Sequence, residues 1–312
     1  MKMHYFAAAS LIVLGTVTAG VLTVNAQRGD RGGRGGDWGD RYQFDINEPD
    51  NGQVTSCDQI EATVKRAFLA RGEETVTVPQ PATFIKVSGP RNGGLRVRGE
   101  GRSDYQLRLC KFAAGESQEE ATARLAQVRL VVQNGIVQTV GPGDNTWRAN
   151  VYVDAPESGQ MALDAQNGPL AIEGISGRVI ARTMNGPLAI KKCTGTTEAE
   201  AVNGPLALSD LGGTVKATSQ NGPLAINLAG SAWEGDGMDA QANNGPLALH
   251  VPESYQSGVQ VTLSNHGPLA CKAKSCEQAL QQFENGNGQL LFGGPTPPVV
   301  RVAAMNGPVA IR

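Results

Sequence analysis

The chain has 312 residues, 40% of them hydrophobic, enough to bury a sizeable core as one large domain or two ordinary ones. Its 40 glycines and only 5% aromatic residues point to many turns around a core of small aliphatic side chains. A formal charge of -2 removes the electrostatic reason to expect nucleic acid as a partner.

The N-terminus reads as a secretory signal peptide over residues 1–26. Lys2 precedes an apolar run from Tyr5 to Val24, and Val24 and Ala26 take the minus-three and minus-one positions before Gln27. The alternative is an uncleaved N-terminal anchor, since the run approaches the length of about 20 residues that spans a bilayer. A membrane is expected as a partner only in that case. No Cys follows the cleavage position, so no lipoprotein is expected, and the address is periplasm, cell surface or secreted.

Residues 27–56 read as a linker. Its low-complexity part, 28–41, is rich in Arg, Gly and Asp, and Asp30, Asp37 and Asp40 remove most of the positive excess that an RNA-binding Arg-Gly tract needs. Arg28-Gly29-Asp30 matches a cell-adhesion tripeptide, but so short a match arises readily in a biased tract. Export permits disulfides among Cys57, Cys110, Cys193, Cys271 and Cys276, and the odd number leaves at least one free or paired between chains. Cys57 with Cys110, and Cys271 with Cys276, are the candidate pairs. No spacing resembles a zinc site, and neither metal nor cofactor is expected.

Residues 57–156 read as a small β-rich N-terminal cap domain. Strands are expected at 75–79, 82–88, 95–98, 105–112, 128–133 and 148–153. Alternations such as Leu95/Val97 and Tyr105/Leu107/Leu109 fit half-buried antiparallel strands. One helix interrupts them, because Ser117 and Glu120 make a capping box and Ala121, Leu125 and Val128 follow at helical spacing. Residues 57–71 are ambiguous between strand and helix.

From residue 157 to 312 the chain repeats itself. The unit Asn167-Gly168-Pro169-Leu170-Ala171 recurs, and its glycine falls at 168, 186, 204, 222, 245, 267, 288 and 307, with spacings of 18, 18, 18, 23, 22, 21 and 19. A near-fixed short period is the signature of a solenoid. Leu170, Leu188, Leu206 and Leu224 form one column and Ile172, Ile190, Leu208 and Ile226 another, both pointing inward. A second strand per turn supplies its own inward sets, among them Met161/Leu163/Ala165, Val179/Ala181/Thr183, Thr197/Ala199/Ala201, Val215/Ala217/Ser219, Met238/Ala240/Ala242 and Val300/Val302/Ala304. Large residues on one wall thus face small ones on the other.

Outward columns test the register. One reads Ile180, Glu198, Lys216, Asp239 and the next Arg182, Glu200, Thr218, Gln241, so opposite charges become neighbours as parallel stacking requires. The fold class expected is all-β, a parallel β-helix (β-solenoid) of about eight rungs preceded by the β-rich cap with one helix.

Turn by turn, the strand, Asn-Gly turn and short aliphatic strand resemble an exported bacterial family of unknown function, the putative adhesins. The likeness runs from about residue 75 to 312 and includes Val78-Pro79, the Ser117 to Glu120 helix start and Ala155-Pro156 leading into the first rung. The resemblance implies a β-solenoid with an adhesin-like role and no catalytic signature. The uniform Pro after Asn-Gly departs from the family pattern.

Several features are candidate sites. Asn167, Asn185, Asn203, Asn221, Asn244, Asn287 and Asn306 share the parity of the inward positions and read as a structural amide ladder, with Asn-Gly tolerating the positive φ of a sharp corner. Pro169/Ala171, Pro187/Ala189, Pro205/Ala207, Pro223/Ala225, Pro246/Ala248 and Pro268/Ala270 point outward as a flat, uncharged strip, a candidate partner or self-association face. Pro inside a strand ladder is unusual unless it opens the strand. Two longer turns carry Trp233, with Glu234 and Asp236, and Tyr255. An exposed Trp beside acids would suit stacking on a sugar, although a tolerated insertion is the simpler reading.

Cys193 takes the column of Ile175, Leu211 and Ala229 and reads as a buried apolar residue. Keeping Val259, Val261 and Leu263 in register puts Asn265 in the Asn column and makes His266 a bulge. With His250 the only other histidine of the mature chain, no metal site is expected. A polysaccharide lyase or hydrolase would need paired carboxylates or a calcium cluster on one face, whereas here outward acids alternate with bases. The function expected is therefore an exported, non-enzymatic structural or adhesin-like element of the cell envelope. Its partner would be itself, an envelope component or a glycan, and the alternative is a carbohydrate-binding or carbohydrate-cleaving β-helix.

Overall fold

In a computed structural model that describes residues 42–49, 54–78, 84–265, 267–284, 287–294 and 299–312, successive strands of each repeat fall alternately on two facing sheets. The expected signal peptide, the Arg-Gly-Asp tract and His266 lie outside the described residues. Among the described residues no helix is long and apolar enough to cross a membrane.

The strands Gln160–Ala165, Arg178–Thr183, Thr196–Ala201, Thr214–Ser219 and Gly237–Asn244 stack side by side in one sheet of 12 strands, hereafter sheet one. Leu170–Glu173, Leu188–Lys191, Leu206–Ser209, Leu224–Asn227 and Leu247–His250 stack in an 11-stranded sheet, sheet two. Every pairing within these runs is parallel and keeps the repeat register, for example Leu188↔Leu206 and Glu198↔Lys216. The reason is the period-2 alternation, since a slip of one residue would turn each inward Leu to solvent. Leu170, Leu188, Leu206, Leu224 and Leu247 are all fully buried, facing the small Ala and Thr residues of sheet one across a narrow core.

The two sheets continue into the residues before the repeats. Ile85–Ser88 pairs in parallel with Gln160–Ala165, and Leu95–Glu100 with Leu170–Glu173, so these strands are stacked on the first repeat. That departs from the antiparallel expectation for 57–156. Antiparallel pairing begins only beyond them, where Trp147–Pro156 meets Tyr105–Gly115, which in turn meets Phe68–Val78. The helix forms at Gln118–Leu125 with Ser117 as its N-cap, accepting from the Glu120 amide at 3.2 Å. The Glu120 carboxylate takes the Glu116 amide, one residue before the cap. Residues 57–71 resolve into a short 3-10 turn, Cys57–Gln59, a strand Glu61–Val64 and the start of the strand Phe68–Val78. Part of the expected linker is ordered too: Phe44–Asn47 pairs antiparallel with Glu61–Val64, because Phe44 and Ile46 alternate inward onto a second small core around Cys57, Cys110 and Phe112.

At the other end, chain order and spatial order part company. Val300–Asn306 lies between Gly237–Asn244 and Val259–Leu263, paired in parallel with both. Val309–Ile311 lies between Leu247–His250 and Leu269–Cys271 in the same way. The last repeat in sequence is thus next to last in space. The Asn287-Gly288 copy of the motif makes no repeat turn, since Asn287–Phe292 runs antiparallel between Val259–Leu263 and Leu280–Glu284.

Candidate functional site

The outward face of sheet two carries the strip of proline and alanine, and the corner beside it carries the asparagines. Backbone stacking dictates both. A Cβ added to Gly186, Gly204, Gly222 or Gly245 would lie 2.2 Å from the carbonyl oxygen of the glycine one turn earlier, so no larger residue fits the column. None of these four glycines has positive φ. Close approach of backbone to backbone, and not the left-handed conformation expected from Asn-Gly, is what selects glycine here. The left-handed residues sit at the opposite corner, at Gly174, Lys192 and Asp210, with φ of 76°, 52° and 54°.

Proline then opens each repeat strand of sheet two, from Leu170–Glu173 to Leu247–His250. Its missing N–H costs nothing, because the ladder bond at that level uses the proline carbonyl: the amides of Leu170, Leu188, Leu206 and Leu224 donate to Pro187, Pro205, Pro223 and Pro246 at 2.9 Å. The alanines fall in one register column, Ala171↔Ala189↔Ala207↔Ala225↔Ala248↔Ala310↔Ala270. Successive strands lie about 4.8 Å apart, so the column is a flat, uncharged line about 30 Å long.

Each ladder amide donates to the carbonyl of the one before. Asn167 bonds to Asn92 at 3.2 Å, Asn185 to Asn167 at 2.9 Å, Asn203 to Asn185 at 3.0 Å, Asn221 to Asn203 at 3.1 Å and Asn244 to Asn221 at 3.0 Å. Asn306 continues to Asn244 at 3.0 Å and Asn265 to Asn306 at 2.6 Å. The ladder side chains are exposed at the corner, against the expected inward parity. Asn287 is not a member. Asn92, ahead of residues 157–312, begins the row; it opens Asn92-Gly93-Gly94-Leu95, an imperfect copy of the unit with Gly94 in the proline place.

One end of the strip is closed. Arg96 and Tyr152 occupy the alanine column beyond Ala171. There the Glu48 carboxylate accepts from Tyr152 Oη at 2.6 Å, Asn150 Nδ2 at 3.0 Å and an Arg96 guanidinium nitrogen at 2.8 Å. Burial, then the neighbouring carboxylate, pushes the Tyr152 hydroxyl pKa well up. This clasp pins residues 44–48 across the face and ends the strip. Glu48 was hidden by lying in a segment that composition reads as linker.

Trp233 and Tyr255 do not join the strip. The Trp233 indole packs on the core and its Nε1 donates to the Gly213 carbonyl at 3.0 Å. Tyr255 is itself buried in the core. Trp233 is thus partly buried and held by its Nε1, and Tyr255 is buried, against the exposed Trp beside acids expected from the sequence. Both residues seal the two enlarged turns, whose chains are tied together by the Trp233 amide on Ser257 Oγ at 2.8 Å.

Of the cysteines, Cys57 is joined to Cys110 and Cys271 to Cys276 by disulfides. Cys193 is a buried free thiol whose pKa burial pushes up to about 11. It stacks on the equally buried Ile175, but Ala229 is exposed and leaves that column, because the first enlarged turn begins there and Leu228 takes the buried place.

The outward face of sheet one is charged and paired: Lys86 with Asp164, Arg178 with Glu198, Arg182 with Glu200 and Arg301 with Asp239. A shallow groove of about 370 Å³ opens on it above Ala303, rimmed by Lys216, Asp239, Gln241, Gln260, Thr262 and Arg301. The Arg301 guanidinium holds the Asp239 carboxyl below its usual range.

No protein-family model and no curated protein matches the chain. Solved structures similar to it include a putative adhesin from Parabacteroides merdae, 10% identical over 78% of this chain and 96% of that one, with a TM-score of 0.38. A putative cell adhesion protein from Clostridium sporogenes is 10% identical over 78% and 99%, with a TM-score of 0.35. A putative lipid binding protein from Parabacteroides distasonis is 10% identical over 77% and 96%, also at 0.35. Most of these neighbours are of the putative-adhesin kind that the repeats resemble, and at 10% identity they transfer no residue role.

Proposed function

We propose that the chain is an exported, non-enzymatic β-solenoid of about eight rungs that works as a structural or adhesin-like element of the cell envelope, with the Pro/Ala strip as its contact face. The observation that carries this reading is the seven-alanine register column on sheet two, open among the described residues from Ala189 to Ala270 and closed at the Glu48 clasp. A rigid, flat, uncharged line suits contact with another extended surface, where shape is matched without side chains having to be ordered. The outward acids of sheet one stand in ion pairs with bases, which fits a scaffold face.

The alternative, a glycan ligand, has Tyr255 buried and Trp233 partly buried, and rests on the groove around Gln241 and Gln260. One experiment separates the two readings. Binding of the purified protein to itself and to envelope glycans is measured for Ala189→Lys/Ala207→Lys and for Gln241→Ala/Gln260→Ala. The strip reading expects the lysine pair to lower association about tenfold or more and the alanine pair to leave it unchanged. Loss in the alanine pair alone would overturn it in favour of the groove.

A further inference from the structure

The position of residues 300–311 is the feature that neither the repeat pattern nor the strip explains. Two neighbouring turns of the chain, 237–250 and 259–271, stand one turn apart, and the last repeat fills the space between them on both sheets. Val300, Val302, Ala304, Val309 and Ile311 are buried in that slot, Asn306 completes the amide ladder between Asn244 and Asn265, and Arg301 clamps Asp239 through two nitrogens at 2.5 and 2.8 Å.

The far side of the slot has its own anchors. From His250 the chain rises two strand spacings, about 9.6 Å, through residues 251–258, with Val251 and Tyr255 buried, the Gln256 amide on the Ser231 carbonyl at 2.7 Å and Ser257 receiving the Trp233 amide. Beyond it, Val259–Leu263 pairs on its other edge with the hairpin of Asn287–Phe292 and Leu280–Glu284, and the Cys271–Cys276 disulfide closes the end of sheet two. The enlarged turns thus act as spacers that set the slot's width. The filling segment contains no cysteine, so no disulfide ties it; strand pairing, burial, the amide ladder and the Arg301–Asp239 pair hold it.

We propose that this slot is a strand-acceptor site between copies of the chain, in which residues 299–312 of one molecule fill the slot of another. Every contact the segment makes within its own molecule is available in a second copy, because both edges and the ladder gap are identical there. Exchange then costs no interaction, and its extent is set by concentration and by the connection to the segment. Crowding on a surface favours the exchanged form. This linkage does not use the Pro/Ala strip as a contact face, although the segment contributes Ala310 to the column.

The register pair Gln241↔Ala303 faces outward and reports it. A Gln241→Cys variant and an Ala303→Cys variant, unfolded and refolded together as full chains at high concentration, are oxidised and the linked peptides are read by mass. Exchange predicts linkage of residue 241 of one chain to residue 303 of another in about half of the dimers. The double variant, refolded alone and dilute, should form the same link within one chain. That internal link with no link between chains in the mixture would overturn the proposal. Native mass spectrometry of the unmodified chain gives a second reading: excess synthetic peptide of residues 299–312 during refolding should lower the dimer fraction several-fold, and a dimer indifferent to the peptide, or none at all, counts against exchange.

Discussion

Residues 160–227 and residues 228–312 are built from the same repeat but solve different problems. In the first, every turn has 18 residues, each strand stacks on its predecessor, and glycine, proline and asparagine hold fixed places in three adjacent columns. In the second, the spacings stretch to between 19 and 23, the left-handed column of Gly174, Lys192 and Asp210 is not continued at Leu228, and the chain skips a level that it later returns to fill. A repeat therefore specifies what a turn looks like, while the connections between turns decide where it goes.

The sharpest way to break the regular half is at a glycine. Gly204→Ala sets a Cβ 2.2 Å from the Gly186 carbonyl oxygen, backbone that cannot step aside without moving a neighbouring turn. A loss on the order of 3–5 kcal/mol is expected in denaturant melts. Gly143→Ala, with nothing within 4 Å, should stay within about 0.5 kcal/mol of the parent.

The irregular half should yield to a smaller and more local change. Trp233→Ala removes indole packing and the bond to the Gly213 carbonyl, at an expected cost of about 2–3 kcal/mol. Hydrogen exchange is expected to quicken in 228–271 and 300–311 while 178–209 keeps its protection, because local opening need not spread through a stack of separate turns. Uniform loss of protection would make the two halves one cooperative unit.

Much of this was legible from residues alone. The inward columns, the register neighbours Glu198 and Lys216 and the place of Asn265 follow from alternation and parallel register, which act on every turn alike. Stacking order was not legible, since Val300, Val302 and Ala304 present the same inward pattern whichever turns lie beside them. Asn287-Gly288 imitates a corner because two residues carry no record of strand direction. Trp233 and Tyr255 read as exposed because Gly- and Ser-rich turns hide the fact that a longer turn leaves a gap to plug. Glycine's role was misassigned for a related reason: a sequence does not distinguish a residue chosen for its φ angle from one chosen for lacking a side chain.

The smallest expected effect is a titration. Asp239 has its folded pKa lowered by Arg301, so the pair adds stability that is fully present above the unfolded carboxylate value of 3.8 and is lost as pH falls through the lower, folded value. Both side chains are about half exposed, at 50% and 52%, so the contribution is about 0.5 kcal/mol. Asp239→Asn should flatten the acid limb of the stability profile below about pH 4 by that amount, and an unchanged limb would mean that the clamp adds nothing to the slot.

The threading itself is open to one direct measurement, mapping disulfides in two double-cysteine variants on the alanine column. Ala248 and Ala310 are register neighbours, whereas Ala248 and Ala270 are separated by the inserted turn. At about 4.8 Å between strands the first pair is within disulfide reach, and at about 9.6 Å the second is not. Ala248→Cys/Ala310→Cys should therefore oxidise within one chain and Ala248→Cys/Ala270→Cys should not; the reverse result would mean that the turns stack in the order of the sequence, with no slot between them.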